Sequence, residues 1–267
     1  MKEHLIFSKI QNGNSPDFGD VFSKSIELFK KVWLQGFIHL LLNFVVIIPL
    51  IIILYIVLAV AGISFFGTSA LLQDEGLAGL TNSLASTTLS VFGVILIILI
   101  SIIFFVTAFI IQTAIRAHFY KVCKQTDLDE VVSTDYFSFL KKQYVKKLMV
   151  LSICYFIIVA LASALCFLPL LYVMVPLQFF VVIFAFNPEM KAEEIVRASF
   201  IFGNKVWGVT FGLLIISFIL SYIAGFLACG IGLYVTLSFI LVPLYYVYKD
   251  GIGFSNGTEN ELKPLMV

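Results

Sequence analysis

Apolar residues fill this chain in four long blocks, and charges are confined to the gaps between them. No Asp, Glu, Lys or Arg occurs in Val32–Gln73, Gly76–Ile115, Leu148–Pro188 or Val206–Tyr248, stretches of 40 to 43 residues each. A helix crosses the hydrocarbon core of a bilayer in about 20 residues, so each block holds either one crossing with a loop or two crossings. The first two blocks share a polar middle, Ser64 to Ser90, rich in Gly, Ser, Thr and Asn and carrying Asp74 and Glu75. That leaves one span in each, at 33–63 and 89–112. The last two blocks have no such filler. They break at Leu168-Pro169 and at Cys229-Gly230-Ile231-Gly232, which predicts tight hairpins and spans at 148–168, 170–187, 206–228 and 231–248. The pattern predicts an all-α integral membrane protein with six transmembrane helices. They form a single membrane domain over 1–250, followed by a flexible cytoplasmic tail over 251–267.

The gaps have a pattern of their own. In Phe18–Trp33 the apolar residues Phe18, Val21, Phe22, Ile26, Leu28, Phe29, Val32 and Trp33 recur at three-and-four spacing, opposite Asp20, Lys24, Glu27, Lys30 and Lys31. Ser15 before Pro16 reads as its N-cap. A second such helix opens at Asn187-Pro188 and carries Ala192, Ile195, Val196, Ser199, Phe202 and Val206 on one stripe. A weaker third runs from Ser133 through Phe137, Leu140 and Tyr144 to Leu148. Helices of this kind are expected to lie in the interface plane with Lys near anionic headgroups. The expectation is therefore three cytoplasmic interfacial amphipathic helices.

Ser199, Lys205, Val206, Trp207 and Phe211 repeat Ser25, Lys31, Val32, Trp33 and Phe37 at a constant offset of 174 positions. Each unit reads as an amphipathic helix, a Lys-x-Trp boundary and two spans. An even number of spans keeps successive units in one orientation, so the repeats are parallel. Lys31, Trp33, Lys205, Trp207, Tyr245, Tyr248 and Lys249 are the expected membrane-interface anchors.

Charge fixes the orientation. Of the 17 basic residues, five precede the first span, seven lie in Arg116–Lys147, three in Lys191–Lys205 and two after the sixth span. All then share one side, which the positive-inside rule makes the cytoplasm. Both termini are then cytoplasmic. The formal charge of +1 argues against a nucleic-acid partner. Mean hydropathy is +1.06.

Catalytic chemistry finds little purchase. The three histidines, His4, His39 and His118, lie on different segments without i,i+4 pairing, so no catalytic or metal-binding residue is assigned and no cofactor is expected. Gly253-Phe254-Ser255-Asn256-Gly257 matches G-x-S-x-G, yet every histidine lies upstream of it and no strand precedes it. The acidic run Asp127-Leu128-Asp129-Glu130 reads as a solvated loop. Four cysteines form no C-x-x-C pair; Cys166 and Cys229 both fall near the outer surface, where a disulfide between them is the one pairing considered. Within the spans, Asn43, Gln112 and Gln178 are the polar residues that would line a small cavity, against the commoner use of such groups in interhelical hydrogen bonds. Pro176 is placed to kink the fourth span, and Gly208-x-x-x-Gly212 and Ala160-x-x-x-Ala164 permit close helix approach.

At Glu194-Ile-Val-Arg-Ala-Ser-Phe and Asn204-Lys-Val-Trp the chain resembles a broad group of bacterial six-span proteins and the membrane region that precedes the catalytic domain of some glycerophosphoryl diester phosphodiesterases. The resemblance implies a six-span membrane module and carries no active-site residue; the phosphodiesterase domain itself is missing. Some similar proteins bear a carotene-oxygenase label, which the histidine count does not support. The expectation is a non-enzymatic scaffold or lipid-contacting module. Its partners would be membrane lipids, anionic ones included, and a second copy or another membrane protein. A transporter or flippase for an apolar or zwitterionic solute is the alternative, and a membrane-embedded enzyme comes last.

Overall fold

A computed structural model describes residues 2–71, 78–165, 168–227 and 232–254. All regular structure among them is helical: α1 (Lys2–Asn12), α2 (Phe18–Leu71), α3 (Ala78–Asp127), a 3-10 turn (Ser138–Leu140), α4 (Lys142–Ala164), α5 (Leu168–Phe186), α6 (Ala192–Lys205) and α7 (Trp207–Leu227). A last run follows, made of α8 (Leu233–Thr236), a 3-10 stretch (Leu237–Leu241) and α9 (Val242–Gly251). Among the described residues, five helical segments are long and apolar enough to cross a membrane: Phe18–Val57, Gly93–Asp127, Lys142–Ala164, Leu168–Phe186 and Trp207–Leu227. Cys166, Cys229 and Ser255 onward lie outside the described residues, and so do the disulfide expectation and most of the G-x-S-x-G match.

The first helices are not delimited as expected. Asp17, not Ser15, caps α2, its Oδ1 accepting the backbone N–H of Asp20 at 2.9 Å. From there α2 runs without interruption through Trp33 and Pro49, so the amphipathic stretch and the first apolar block form one helix. Parts of the polar middle, 64–71 and 78–90, are helical as well. Likewise Asn187 does not cap α6. Pro188 stops α5, and Asn187 turns inward while Glu194 reaches back to accept the Lys191 N–H at 2.9 Å. The third amphipathic stretch is not one helix: Ser133–Phe137 is irregular, one 3-10 turn follows, and only its end, from Lys142, is α-helical, as the start of α4.

The final apolar stretch departs from a single helix for a local reason. Pro243 has no N–H for the carbonyl of Phe239, and its ring crowds that carbonyl. The Val242 N–H takes it instead, through a three-residue step, and the tighter 3-10 geometry extends back to Leu237.

The chain divides into two compact units, Met1–Leu41 with Thr113–Val267, and Leu42–Gln112. In the larger unit α5 is the core. Val175, Pro176, Leu177 and the whole run Phe179–Ala185 are buried, with α4, α6, α7 and α9 packed around it. A helix buried on every face marks a core position. Ile195, Ala198, Ser199 and Phe202 of α6 are buried in turn, with α1, α4 and α5 against that helix. The stripe of the second amphipathic helix is thus spent on protein.

The same holds for the first amphipathic stretch. Val21, Ser25, Leu28, Val32 and His39 are buried along one face. A Cβ at Gly212 of α7 would sit 3.2 Å from the Phe18 ring. Further along, Ile26, Phe29 and Lys30 stand beside Leu220, Ser221 and Ala224. Contacts that advance in step run Phe18–Lys30 alongside α7 in the same direction.

Outward-facing side chains are apolar over large areas. In the larger unit Ile153, Ile157, Leu161, Phe218, Ile223 and Phe226 are exposed; in the smaller, Val45, Ile52, Ile56, Leu96, Ile103 and Phe105 are. Contiguous apolar surface of this extent is foreign to soluble monomers and consistent with a membrane protein.

Candidate functional site

Polar side chains inside an apolar unit must find partners, because an unpaired buried donor or acceptor costs about 1–3 kcal/mol. Two clusters in the larger unit show where they go.

The first joins α2 to α3. His39 Nδ1 lies 2.6 Å from the carbonyl of Gln35, which only accepts, so this nitrogen carries the proton. His39 Nε2 is then an acceptor and takes the Nδ1–H of His118 at 2.7 Å. Tyr136 packs its ring against both imidazoles and Phe119 against His39. The relay ends at the buried His118 Nε2, on the side where the ring approaches the backbone of Ser133. Both imidazoles are neutral in this arrangement. The sequence placed His39 and His118 on separate segments without a relation; helix pairing brings them together, and no spacing in the sequence signals it.

The second cluster is built on Asp127, past the charged positions Arg116, Lys121 and Lys124 and outside the apolar part of α3. Tyr245 Oη donates to Oδ2 at 2.6 Å, Tyr246 Oη to Oδ1 at 2.8 Å and Lys249 Nζ to Oδ2 at 2.6 Å. A carboxylate in the last turn of a helix opposes the helix dipole, so Asp127 depends on these donors. Burial disfavours its charge, but the hydrogen bonds from Lys249, Tyr245 and Tyr246 prevail and hold its pKa below the ordinary 3.8. The helix ends there in a Schellman motif. Glu130 N–H bonds to Gln125 O, Asp129 N–H to Thr126 O, and Asp129 takes the left-handed conformation with φ 52°. The acidic run is therefore half structural: Asp127 is an internal anchor, while Asp129 and Glu130 remain exposed.

Other polar groups serve the same end. Asn187 donates to Tyr248 Oη at 2.7 Å, Lys9 to the carbonyl of Phe254 at 3.0 Å, and Lys147 to the carbonyl of Pro188. Phe254 stacks near Phe186, Tyr245 and Tyr248. The region from Gly251 to Phe254 is thus docked, although the sequence assigned it to the tail. Lys205 donates to Ile10 O at 2.7 Å and Gln11 O at 3.1 Å, and also to Gly13 O, which covers the bare C-terminal carbonyls of α1.

The expected anchors divide accordingly. Trp33 is 46% exposed and Lys31 is exposed beside it. Trp207 stacks on Phe211 and donates Nε1–H to Tyr172 O at 2.9 Å. Tyr245 and Tyr248 are 0% and 1% exposed, so both phenols face protein. Lys249 faces Asp127. Of the polar residues proposed for a cavity, Asn43 and Gln112 belong to the smaller unit and Gln178 to the larger.

An open groove of about 290 Å³ does exist in the larger unit, on other residues. Ile26, Phe29 and Lys30 of α2 form one wall, Leu220, Ser221 and Ala224 of α7 the second, and Thr236 and Phe239 the third. Its hydroxyls are occupied: Ser221 Oγ donates to Thr236 O and Thr236 Oγ1 to Ser221 O, each at 2.8 Å. The two glycines of the Gly208-x-x-x-Gly212 motif are used unequally. Gly212 faces Phe18, while a Cβ at Gly208 would meet nothing within 4 Å.

Among the described residues no three His, Cys, Asp or Glu side chains converge on a point where a metal would sit. Comparison with protein-family models, with curated proteins and with solved structures finds no match.

Proposed function

We propose that this chain is a multi-pass module of the bacterial cytoplasmic membrane that acts without catalysis, as a scaffold or lipid-contacting protein. The observation that carries the reading is how its polar side chains are spent. His39 with His118 and Asp127 with Tyr245, Tyr246 and Lys249 each tie one helix to another, and Asn187 ties the end of α5 to Tyr248 of α9. Apolar side chains are left for the surroundings.

In this reading the last run, Leu233 to Gly251, is the sixth crossing, and the 17 basic residues mark the cytoplasmic side with both termini there. Parallel repeats fit the shared behaviour of Ser25 and Ser199. Each is fully buried and donates its Oγ–H to the carbonyl four residues back, at 2.6 and 2.7 Å. The likeness to the membrane region of glycerophosphoryl diester phosphodiesterases stays part of the proposal. Transport has less support: Pro176, placed to kink the fourth span, is buried against Gly203.

Native mass spectrometry of the protein extracted gently from membranes tests the reading. Retained lipid or a membrane-protein partner is expected. Movement of a labelled lipid between leaflets in reconstituted vesicles would replace the scaffold by a flippase. Maleimide labelling of Ser23→Cys from the cytoplasmic side tests the orientation, and labelling only from the opposite side would reverse it.

A further inference from the structure

The groove between α2, α7 and the 3-10 stretch combines two properties that call for one kind of occupant. Its walls offer carbon: Ile26, Phe29, Leu220 and Phe239 face it, and the hydroxyls of Ser221 and Thr236 are turned to backbone carbonyls. Lys30 also lines it, and its ammonium group has neither ion pair nor hydrogen bond among the described residues. The neighbouring Lys24 differs, being held by Asp20 at 2.6 Å and near Asp250 at 3.7 Å.

Position sharpens the point. Lys30 lies beside Leu220 and Ala224 of α7. An exposed lysine without a protein partner, set beside apolar helix surface, is available to an anionic headgroup. The volume, about 290 Å³, is at the small end for ligand sites and suits part of a single chain rather than a compact polar solute.

We infer that the groove holds one acyl chain of an anionic phospholipid, with Lys30 paired to its phosphate. This rests on the lipid-contacting reading above and gives it a site and a lipid class. The lysine supplies a compact point charge suited to phosphate, and its four-carbon stem lets it reach the headgroup while the chain lies along Phe29 and Leu220.

The test uses the full chain, delipidated in a non-ionic detergent and titrated in native mass spectrometry with phosphatidylglycerol, phosphatidylcholine or free oleate. The wild type is expected to retain one phosphatidylglycerol in preference to phosphatidylcholine. Lys30→Gln should bind the two alike, and Lys31→Gln, at an exposed position outside the groove, should behave as wild type. Ala224→Phe, which fills the groove, should lose the first bound lipid, with helix content checked by circular dichroism. Because Lys30 is exposed, its variant tests the site even if Ala224→Phe fails to fold. An equal phosphatidylglycerol preference in every variant would leave the lipid-contacting function standing and remove this groove as its site. Indifference of the wild type to headgroup charge would remove both. Oleate displacing phosphatidylglycerol would overturn the phospholipid as occupant.

Discussion

His39 and His118, 79 positions apart, share a single 2.7 Å hydrogen bond between Nε2 of one and Nδ1 of the other. The bond is directional, since His39 has already committed its Nδ1 proton to Gln35 O. Replacing either imidazole with Phe leaves a buried nitrogen of the other unsatisfied, which should cost about 1–3 kcal/mol. Replacing both removes the orphan, so His39→Phe with His118→Phe should cost less than the two single changes added together. Thermal unfolding in detergent of all four proteins measures the coupling. Simple additivity would mean that the pair contributes no mutual stabilisation.

Asp127 makes a pH-dependent contribution whose sign follows from its lowered pKa. A carboxyl group with a folded-state pKa below its unfolded value stabilises the fold at pH above that unfolded value. The stabilisation disappears as pH falls through the folded pKa. Asp127→Asn keeps the shape and removes the charge that Lys249 faces, at a cost of about 1.5–3 kcal/mol near neutrality. The melting-temperature gap between wild type and variant should stay constant down to about pH 4 and close below it. A gap that widens in acid would place the pKa shift in the opposite direction.

These two clusters show what the sequence carried and what it withheld. Periodicity located much of the first two amphipathic stripes: Val21, Leu28 and Val32 are buried, and so are Ile195 and Phe202, while Trp33 is exposed. It did not tell which medium would cover them, because an apolar stripe is equally satisfied by lipid or by a neighbouring helix. The same ambiguity governs Tyr245 and Tyr248. An aromatic run beside Lys249 has the composition of an interfacial belt, yet its phenol groups donate to Asp127 and accept from Asn187 deep in the unit. Those partners lie 118 and 61 positions away, beyond any local pattern. The termination of α3 was hidden for another reason, since Asp129 occupies the left-handed position where glycine is the usual signal.

Glycine spacing makes a contrast that experiment resolves easily. A Cβ on Gly203 would lie 2.7 Å from Pro176 Cα and 3.1 Å from its ring, so α5 and α6 must separate to accept it. Gly203→Ala should destabilise by about 1–3 kcal/mol. Gly208 is exposed and meets nothing within 4 Å, so Gly208→Ala should be neutral or gain up to about 1 kcal/mol from helix propensity. Melting temperatures that fall equally in both would show that α6 does not pack on Pro176 as described.

Lys31 and Lys205 occupy matching places in the sequence, 174 positions apart, but only Lys205 has structural work. Its ammonium group donates to Ile10 O, Gln11 O and Gly13 O, where the α1 carbonyls lack intrahelical partners. A cation there also complements the negative end of the helix dipole, an effect of about 0.3–1 kcal/mol at exposed sites. Lys205→Ala should therefore loosen α1 selectively, seen as faster amide exchange over Lys2–Asn12 while α5 keeps its protection. Lys31 is exposed and has no partner among the described residues, so Lys31→Ala should change stability by less than about 0.5 kcal/mol. Equal loosening of α1 by both substitutions would point to a general charge effect on the membrane-facing side, and would dissolve the assignment of Lys205 as the α1 cap.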